Sequence, residues 1–361
     1  MDVSQARLMD FNMPGGIKFL DKILDGYKAY QTLAAALNLK LFDWIEEKGE
    51  ATREEIIDAL KINGMFARSF LQSLVDLGLL TCSSTEKYAN TVLAANFLVN
   101  KSEHYQGDWL QLSAGQSDVW GHLSEVLTKE KPGADIFSAT PNAQSIKALN
   151  QVSLRGELQA VAKAVASWEG FPRAGRILDL SGCHGLYAAA LCQLNAKLKG
   201  IILENPSAAE YTNEFIHKYG LGEQMQVQIG DISSDEPGTG YDIVLTSHLL
   251  YRFRENLSSI FSKVFNCLNP GGLLVSNHWF CSPGCVAVDG LQELDKSLHS
   301  FGHPLCHPED FHALFQTMGF GVVHASEIPS VYGASKLHLA VKGSSSTKIE
   351  MISFNCCQPA K

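Results

Sequence analysis

The stretch Ile177–Gly185 (ILDLSGCHG) decides the fold of this 361-residue chain. The apolar run at 176–180 predicts a buried strand, and the residues from Leu186 onward (LYAAA) begin a helix. Glycine between a strand and a helix makes a tight turn and lets a ligand approach the backbone closely. Many strand-to-helix turns contain glycine for steric reasons alone. The interpretation of this turn as a ligand site therefore depends on further motifs in the sequence.

Short β-rich runs alternate with helix-length segments from residue 175 onward. The runs are 176–180, 200–203, 226–229, 241–246 and 272–276, followed by a final pair at 320–327 and 336–342 that resembles edge strands. Because parallel strands need crossover connections, this alternation predicts an α/β domain with a mostly parallel sheet.

The first half of the chain reads as helical. Apolar residues recur every three or four positions over 17–48, as in a pair of amphipathic helices. Thr52–Glu55 fits a capping box, a further helix is predicted near 65–78, and the polar stretch 83–86 suggests a small hairpin. This order is typical of a winged helix.

Charge argues against nucleic acid as a partner. The chain has 29 Lys and Arg against 38 Asp and Glu, a net charge of −9, and the winged-helix segment is not basic. Phosphate contacts need positive charge, so a dimerisation or substrate-covering role is favoured for this segment. We expect no membrane span, no signal peptide, and nine reduced cysteines in a cytoplasmic protein.

Further polar residues follow the later predicted strands. Glu204 ends the second run, where a carboxylate can accept hydrogen bonds from ribose hydroxyls, although a solvated loop carboxylate is the alternative. Asp231 follows the third run and could accept from an adenine amino group, with Ile232 packed on the ring. The turn at 269–272 (NPGG) leads into the fifth strand.

Together these motifs resemble the class I S-adenosylmethionine-dependent methyltransferases. Within that class the chain is similar to the plant and bacterial small-molecule O-methyltransferases with an N-terminal winged-helix dimerisation domain. The resemblance covers roughly 17–342 and rests on the order ILDLSGCHG, IILENP, GDI, YDIVLTSHLLYRF and LNPGG. It implies a Rossmann-like, mostly parallel seven-stranded sheet and a homodimer. The implied domains are 1–105 for dimerisation, 106–170 for pocket helices, 171–342 for cofactor binding, and a loose tail at 343–361.

The resemblance also implies how S-adenosylmethionine would bind. Gly182 would lie against its methionine part, Glu204 would hold the ribose, and Asp231 and Ile232 would frame the adenine. The remaining expected cofactor residues are Asp179, Gly185 and Ser247. The chain departs from the family at Ser181 and Cys183, where glycines are usual, so the cofactor contacts would be altered.

The family's catalytic histidine is absent. Its His-Asp-Trp triplet falls on Tyr251-Arg252-Phe253, and a supporting glutamate falls on His278. A free tyrosine, with a pKa near 10, is a poor base, so His278 or His248 could take over the role. Alternatively, an acceptor thiol, amine or activated carbon needs no strong base. A non-methylating cyclase, isomerase or ligand-binding protein of the same fold is the other alternative.

Aromatic and polar side chains are candidates for the substrate pocket. The expected aromatic walls are Trp109, Trp120, Phe253, Trp279 and Phe301. Asn150 and Arg155 lie where relatives are more apolar; if they face inward, the substrate carries a polar or anionic group, and otherwise they face water.

Cysteine and histidine are concentrated at 278–312. Cys281 and Cys285, with Cys306 and His307, have a conceivable metal-loop spacing. Adjacent ligands such as Cys306 and His307 rarely bind one ion comfortably, however. We therefore favour pocket lining or plain packing and expect no metal.

Overall fold

The computed structural model describes residues 9, 12–113, 119–128, 142–180, 184–281, 289–302, 304–305 and 308–343. Gly182, Cys285, Cys306 and His307, all named above, lie outside this part of the chain. The chain divides into two compact units, Met1–Gln111 and Leu112–Lys361.

The first unit is built from helices and one small sheet. Its helices are Ile17–Asn38, Leu41–Lys48, Arg53–Leu60, Gly64–Asp76, Val92–Phe97 and Gly107–Leu112, the last of which ends one residue into the second unit. Strands β1 (Ala51–Thr52), β2 (Leu80–Cys82) and β3 (Lys87–Asn90) form an antiparallel sheet in the order β1-β3-β2. The predicted helix pair and the hairpin after residue 80 are confirmed.

Local capping fixes the start of the helix Arg53–Leu60. The backbone N–H of Glu55 donates to Oγ1 of Thr52, and the backbone N–H of Thr52 donates to Oε2 of Glu55 at 2.8 Å. This reciprocal pair confirms the predicted capping box and satisfies two helix-end donors. The fully buried Ile45, Leu71 and Leu74 form the centre of the unit's core.

One face of the long helix Ile17–Asn38 is apolar and exposed. Phe19 is 72% exposed, Ile23 is 73% exposed, and Leu20 and Tyr27 are 62% and 61% exposed. Large apolar side chains grouped on one helix face indicate a surface that is covered in the assembled protein.

The second unit contains a seven-stranded sheet. Its strands are β4 (Arg176–Leu180), β5 (Lys199–Glu204), β6 (Met225–Ile229), β7 (Tyr241–Ser247), β8 (Leu268–His278), β9 (Phe320–Ser330) and β10 (Gly333–Lys342). The order is β6-β5-β4-β7-β8-β10-β9, parallel from β6 to β8, whereas β10 pairs antiparallel with both β8 and β9. The predicted Rossmann-like fold is confirmed. The interpretation of 336–342 as an edge strand is wrong, because β10 lies between β8 and β9.

Helices surround this sheet. They are Leu123–Thr128, Ala143–Ser153, Glu157–Ala166, Leu186–Leu194, Pro206–Lys218, Leu257–Cys267, Gly290–His299 and Pro308–Thr317, with short 3-10 turns at Val119–His122, Phe171–Arg173 and Leu250–Asn256. Neighbouring residues of one strand pack in different hydrophobic clusters. Ile177 and Ile243 belong to one cluster, and Leu178 and Val244 belong to the other. Since strand side chains alternate between faces, the sheet is covered on both sides.

Chain order reverses at β4. The chain continues from β4 to β5 on one side and returns to β7 on the other. In open parallel sheets ligands bind beyond the carboxyl ends of the strands at such a reversal, which here lies at Leu180. Among the described helices, none has the length and apolarity to cross a membrane.

Candidate active site

A cavity of about 260 Å³ lies in the second unit, at the carboxyl ends of the central strands. That volume is close to the lower end for small-molecule pockets. The lining residues are Leu149, Val152, Ser153, Glu157, His184, Tyr187, Glu204, Asn205, Ser247, His248, Leu249, Arg252, Trp279, His299, Phe301 and Tyr332. Five of the residues predicted from sequence are among them: Glu204, Ser247, His248, Trp279 and Phe301.

A buried carboxylate lines one end of this cavity, and a second lies on the neighbouring strand outside the cavity lining. Glu204 ends β5, and one of its oxygens accepts a hydrogen bond from the backbone N–H of Asn205 at 2.9 Å. Asp179, on the neighbouring strand, is fully buried, and burial together with the charge of Glu204 raises its pKa to about 7. The backbone N–H of Ala188 opposes this shift, but neither carboxylate oxygen of Asp179 has a hydrogen bond of normal geometry within the described residues.

The residues after β6 lie beside Glu204. The backbone N–H of Gly230 donates to the carbonyl of Glu204 at 3.0 Å, so Asp231 and Ile232 follow at the same sheet edge. Ile232 is buried, whereas Asp231 is exposed and accepts from the backbone N–H of Ser233 at 2.7 Å. Neither residue lines the cavity, so their adenine contacts stay a prediction.

The glycine turn has no room for a side chain at Gly185. Its φ is +65°, and a Cβ there would lie 2.2 Å from Cδ1 of Ile202. The preceding His184 is buried and lines the cavity; its Nδ1 accepts from the backbone N–H of Leu186 at 3.1 Å. Burial lowers the pKa of His184 to about 4, so the ring is neutral.

A carboxylate–imidazole–phenol network occupies the other end of the cavity. Nε2 of His248 lies 2.7 Å from Oε1 of Glu157, and Nδ1 of His248 lies 2.9 Å from the hydroxyl of Tyr251. Burial tends to raise the pKa of Glu157, but His248, Asn277 and Ser335 outweigh it, so the pKa is lowered and the carboxylate is ionised.

Chemistry fixes the direction of two bonds in this network. An ionised carboxylate only accepts, so Nε2 of His248 carries a proton and donates to Glu157. The backbone N–H of Trp279 donates to the Tyr251 oxygen at 2.6 Å, and the same hydroxyl is the partner of Nδ1 of His248.

The backbone places this histidine in an unusual conformation. His248 has φ +51°, in the left-handed region, and its backbone N–H donates to the carbonyl of Asn277 at 2.9 Å. A non-glycine residue there costs about 1 kcal/mol, and such strain clusters at functional sites. Phe301, which also lines the cavity, has φ +57°.

His278 lies behind the cavity wall. It is fully buried; its Nε2 accepts from the backbone N–H groups of Leu249 and Leu250, both at 3.2 Å, and its Nδ1 is 3.0 Å from Oγ of Ser276. Burial and the nearby His248 and His338 keep its pKa well below the usual range. Nε2 thus holds the loop after β7, and Nδ1 is engaged by Ser276 of the same strand, β8.

The other predicted pocket residues are dispersed. Trp120 donates from Nε1 to Asp295 at 2.6 Å, Phe253 packs at the margin of a core cluster, and Trp109 lies in the first unit. Asn150 is 4% exposed, and its amide has no hydrogen bond within the described residues. None of these, nor Arg155, lines the cavity.

No group of three or more His, Cys, Asp or Glu side chains in the described part of the chain is arranged to hold a metal ion. Cys281, which belongs to the predicted cysteine-rich region, is partly buried.

Comparison with known proteins agrees with this architecture. Residues 22–100 match the model of the O-methyltransferase dimerisation domain. The chain is 27% identical to the N,N-dimethyltransferase OxyT of Streptomyces rimosus over 86% of this chain and 93% of that protein. It is 28% identical to an L-tyrosine C(3)-methyltransferase of Streptomyces lavendulae over 74% of this chain and 78% of that protein. The structure of human N-acetylserotonin methyltransferase in complex with SAM superposes with a TM-score of 0.74 at 19% identity, covering 92% of this chain and 99% of that one.

The chain therefore contains a match to the O-methyltransferase dimerisation domain, and its named relatives and structural neighbours are methyltransferases. The pocket residues that sequence reasoning missed include Glu157, Tyr187, Arg252 and Tyr332. Glu157 is the most important of them, and it lies 91 positions from the histidine that it contacts.

Proposed function

We propose that this methyltransferase transfers the methyl group of S-adenosylmethionine to a small molecule, with His248 as the base in place of the family's missing histidine. The observation that carries the proposal is the single cavity that reaches from Glu204 to the His248–Glu157 pair. A cofactor held at one end and an acceptor held at the other would share one enclosed space.

The residues at the Glu204 end suit this cofactor. Asp179 and Glu204 are buried carboxylates that repel each other, so they favour a ligand that brings positive charge and hydroxyl donors. S-adenosylmethionine has an ammonium, a sulfonium and two ribose hydroxyls.

When bound, S-adenosylmethionine supplies an electrophilic methyl group, and the chain's own task is to hold and deprotonate the acceptor. The acceptor's proton moves to the His248 ring, which exchanges its hydrogen bond with the Tyr251 hydroxyl for one with the acceptor, and Glu157 stabilises the imidazolium that forms. Tyr251 and His278 are positioning residues in this proposal.

The acceptor atom is a separate question. The names of two relatives place the methyl group on nitrogen and on carbon, respectively. A histidine–carboxylate pair serves a phenol oxygen, an amine or a phenol-activated carbon, because each loses a proton. A non-methylating function is less favoured, because the Glu157–His248 pair suits deprotonation of a methyl acceptor and the named relatives are methyltransferases.

We further propose that the protein is a homodimer in the cytoplasm, paired through its first unit. The match to a dimerisation domain and the exposed apolar face of Ile17–Asn38 support the pairing.

Calorimetry with S-adenosylmethionine and S-adenosylhomocysteine tests the cofactor site. We expect wild-type protein to bind both, and Glu204→Ala to weaken binding by about tenfold to a hundredfold, since hydrogen bonds to a charged group are lost. Glu210→Ala, on the exposed side of the helix that follows β5, is the matched control. Failure of wild-type protein to bind either ligand at millimolar concentration would overturn the proposal.

A further inference from the structure

Arg252 is the only lysine or arginine among the described residues that line the cavity. A positive charge at a small-molecule site indicates a negative charge on its ligand, provided that the protein does not already neutralise it.

The guanidinium of Arg252 packs against an aromatic ring and forms no ion pair with a described carboxylate. The guanidinium carbon of Arg252 lies 4.9 Å from the centre of the Phe301 ring, a cation–π contact that fixes its plane. No ion pair joins it to a described carboxylate, and Glu157, a carboxylate of the same cavity, is bound to His248 instead. Arg252 is exposed overall, so it lies at the mouth of the cavity, one residue after Tyr251.

The walls between Arg252 and His248 are aromatic. Trp279 lies 4.3 Å from the His248 ring and 5.0 Å from the Tyr332 ring, measured between ring centres. Flat rings bind well against such surfaces.

We propose that Arg252 binds a carboxylate of the acceptor, so that the acceptor is a hydroxylated aromatic acid. Its acid group lies at the mouth of the cavity beside Phe301, and its hydroxyl faces His248. The inference rests on the proposed function and adds the chemical class of the substrate. A planar guanidinium binds a carboxylate through two parallel hydrogen bonds. Replacing that carboxylate by an uncharged group should weaken ligand binding by about tenfold or more.

Matched pairs of ligands test this claim without requiring turnover. The probes are hydroxybenzoates and hydroxynaphthoates, each compared with its primary amide, and binding is measured by calorimetry on protein saturated with S-adenosylhomocysteine. We expect wild-type protein to bind at least one acid about tenfold or more tightly than its amide. Arg252→Gln removes that preference, and Arg252→Lys retains part of it. Arg173→Gln, the same charge change at an exposed position outside the cavity, retains the full preference.

Several outcomes would overturn the inference. They are equal binding of acids and amides by wild-type protein, binding of no acid at all, and an acid preference that survives Arg252→Gln. Weakened binding of S-adenosylhomocysteine itself by Arg252→Gln would assign the guanidinium to the cofactor instead. Binding of S-adenosylhomocysteine is measured first and tests the proposed methyltransferase function. If the protein binds S-adenosylhomocysteine but none of the acids, only the proposed substrate class is refuted.

Discussion

The buried His338 should make the stability of the protein depend on pH. It lies on β10 and is 1% exposed, with ring-centre distances of 5.4 Å to Phe280 and 5.5 Å to Phe311. Its Nδ1 has no hydrogen-bond partner within the described residues. Burial, with the nearby His312 and Lys336, lowers the pKa of His338 to about 3.

This pKa sets the sign and size of a stability effect. In the unfolded chain the histidine takes up a proton as the pH falls through about 6.5, whereas in the folded protein it stays neutral until far lower pH. The unfolded state therefore binds more protons, and the free energy of unfolding decreases by about 1.4 kcal/mol per pH unit below 6.5. Between pH 6.5 and pH 5 the loss from this one group is about 2 kcal/mol.

Urea unfolding of wild-type protein and His338→Leu at pH 6.5 and pH 5 measures this effect. The leucine variant is expected to be at least as stable at pH 6.5 and to lose about 2 kcal/mol less on acidification. His184, His278 and Asp179 titrate equally in both proteins, so their contributions cancel. His324→Gln, at an exposed site on β9, is expected to keep the wild-type pH dependence. Equal pH dependence in wild type and His338→Leu would refute the reasoning.

Three further predictions concern the turn, the phenol and the dimer. Gly185→Ala would force a Cβ against Ile202 in a left-handed turn, so thermal unfolding should show a lower Tm and calorimetry weaker S-adenosylmethionine binding. Tyr251→Phe removes the hydrogen bond to His248 and also leaves the buried N–H of Trp279 without its acceptor, so it should lower Tm and should lower the rate of S-adenosylhomocysteine formation by about tenfold below the new Tm; an unchanged rate would remove its positioning role. Ile23→Asp places a charge on the exposed apolar helix face and should convert a dimer into a monomer by light scattering; a variant that stays dimeric would contradict this interface.

The sheet was predictable because its central parallel strands are buried on both faces and so appear as nearly continuous apolar runs, whereas the edge strand β6 is largely exposed. Glu204 was predictable for the same reason, since a carboxylate directly after such a run lies at the carboxyl edge of the sheet. The position of the last strand was not, because nothing in 336–342 shows that it inserts beside β8.

The acceptor end of the cavity could be predicted only in part. Sequence reasoning gave His248 and His278 as alternatives, but which ring nitrogens are engaged depends on backbone N–H groups that only the folded loop brings together. Glu157 begins a helix of ordinary amphipathic pattern (ELQAVAKAVA), and no local signal separates it from a solvated helix-start carboxylate. Its role follows from long-range contact with His248 and Asn277.

The most direct test of the central claim is methyl transfer itself in a matched pair of proteins. Wild type and His248→Asn are incubated with S-adenosylmethionine that has a deuterated methyl group and with the hydroxylated aromatic acids, and products are followed by mass spectrometry. The account predicts a deuterium-labelled acceptor from wild type, and a rate lowered by about a hundredfold or more in His248→Asn with cofactor binding retained. A His248→Asn variant as active as wild type would contradict it, whereas a cofactor-binding wild-type protein that labels none of these acids would contradict the acid substrate class.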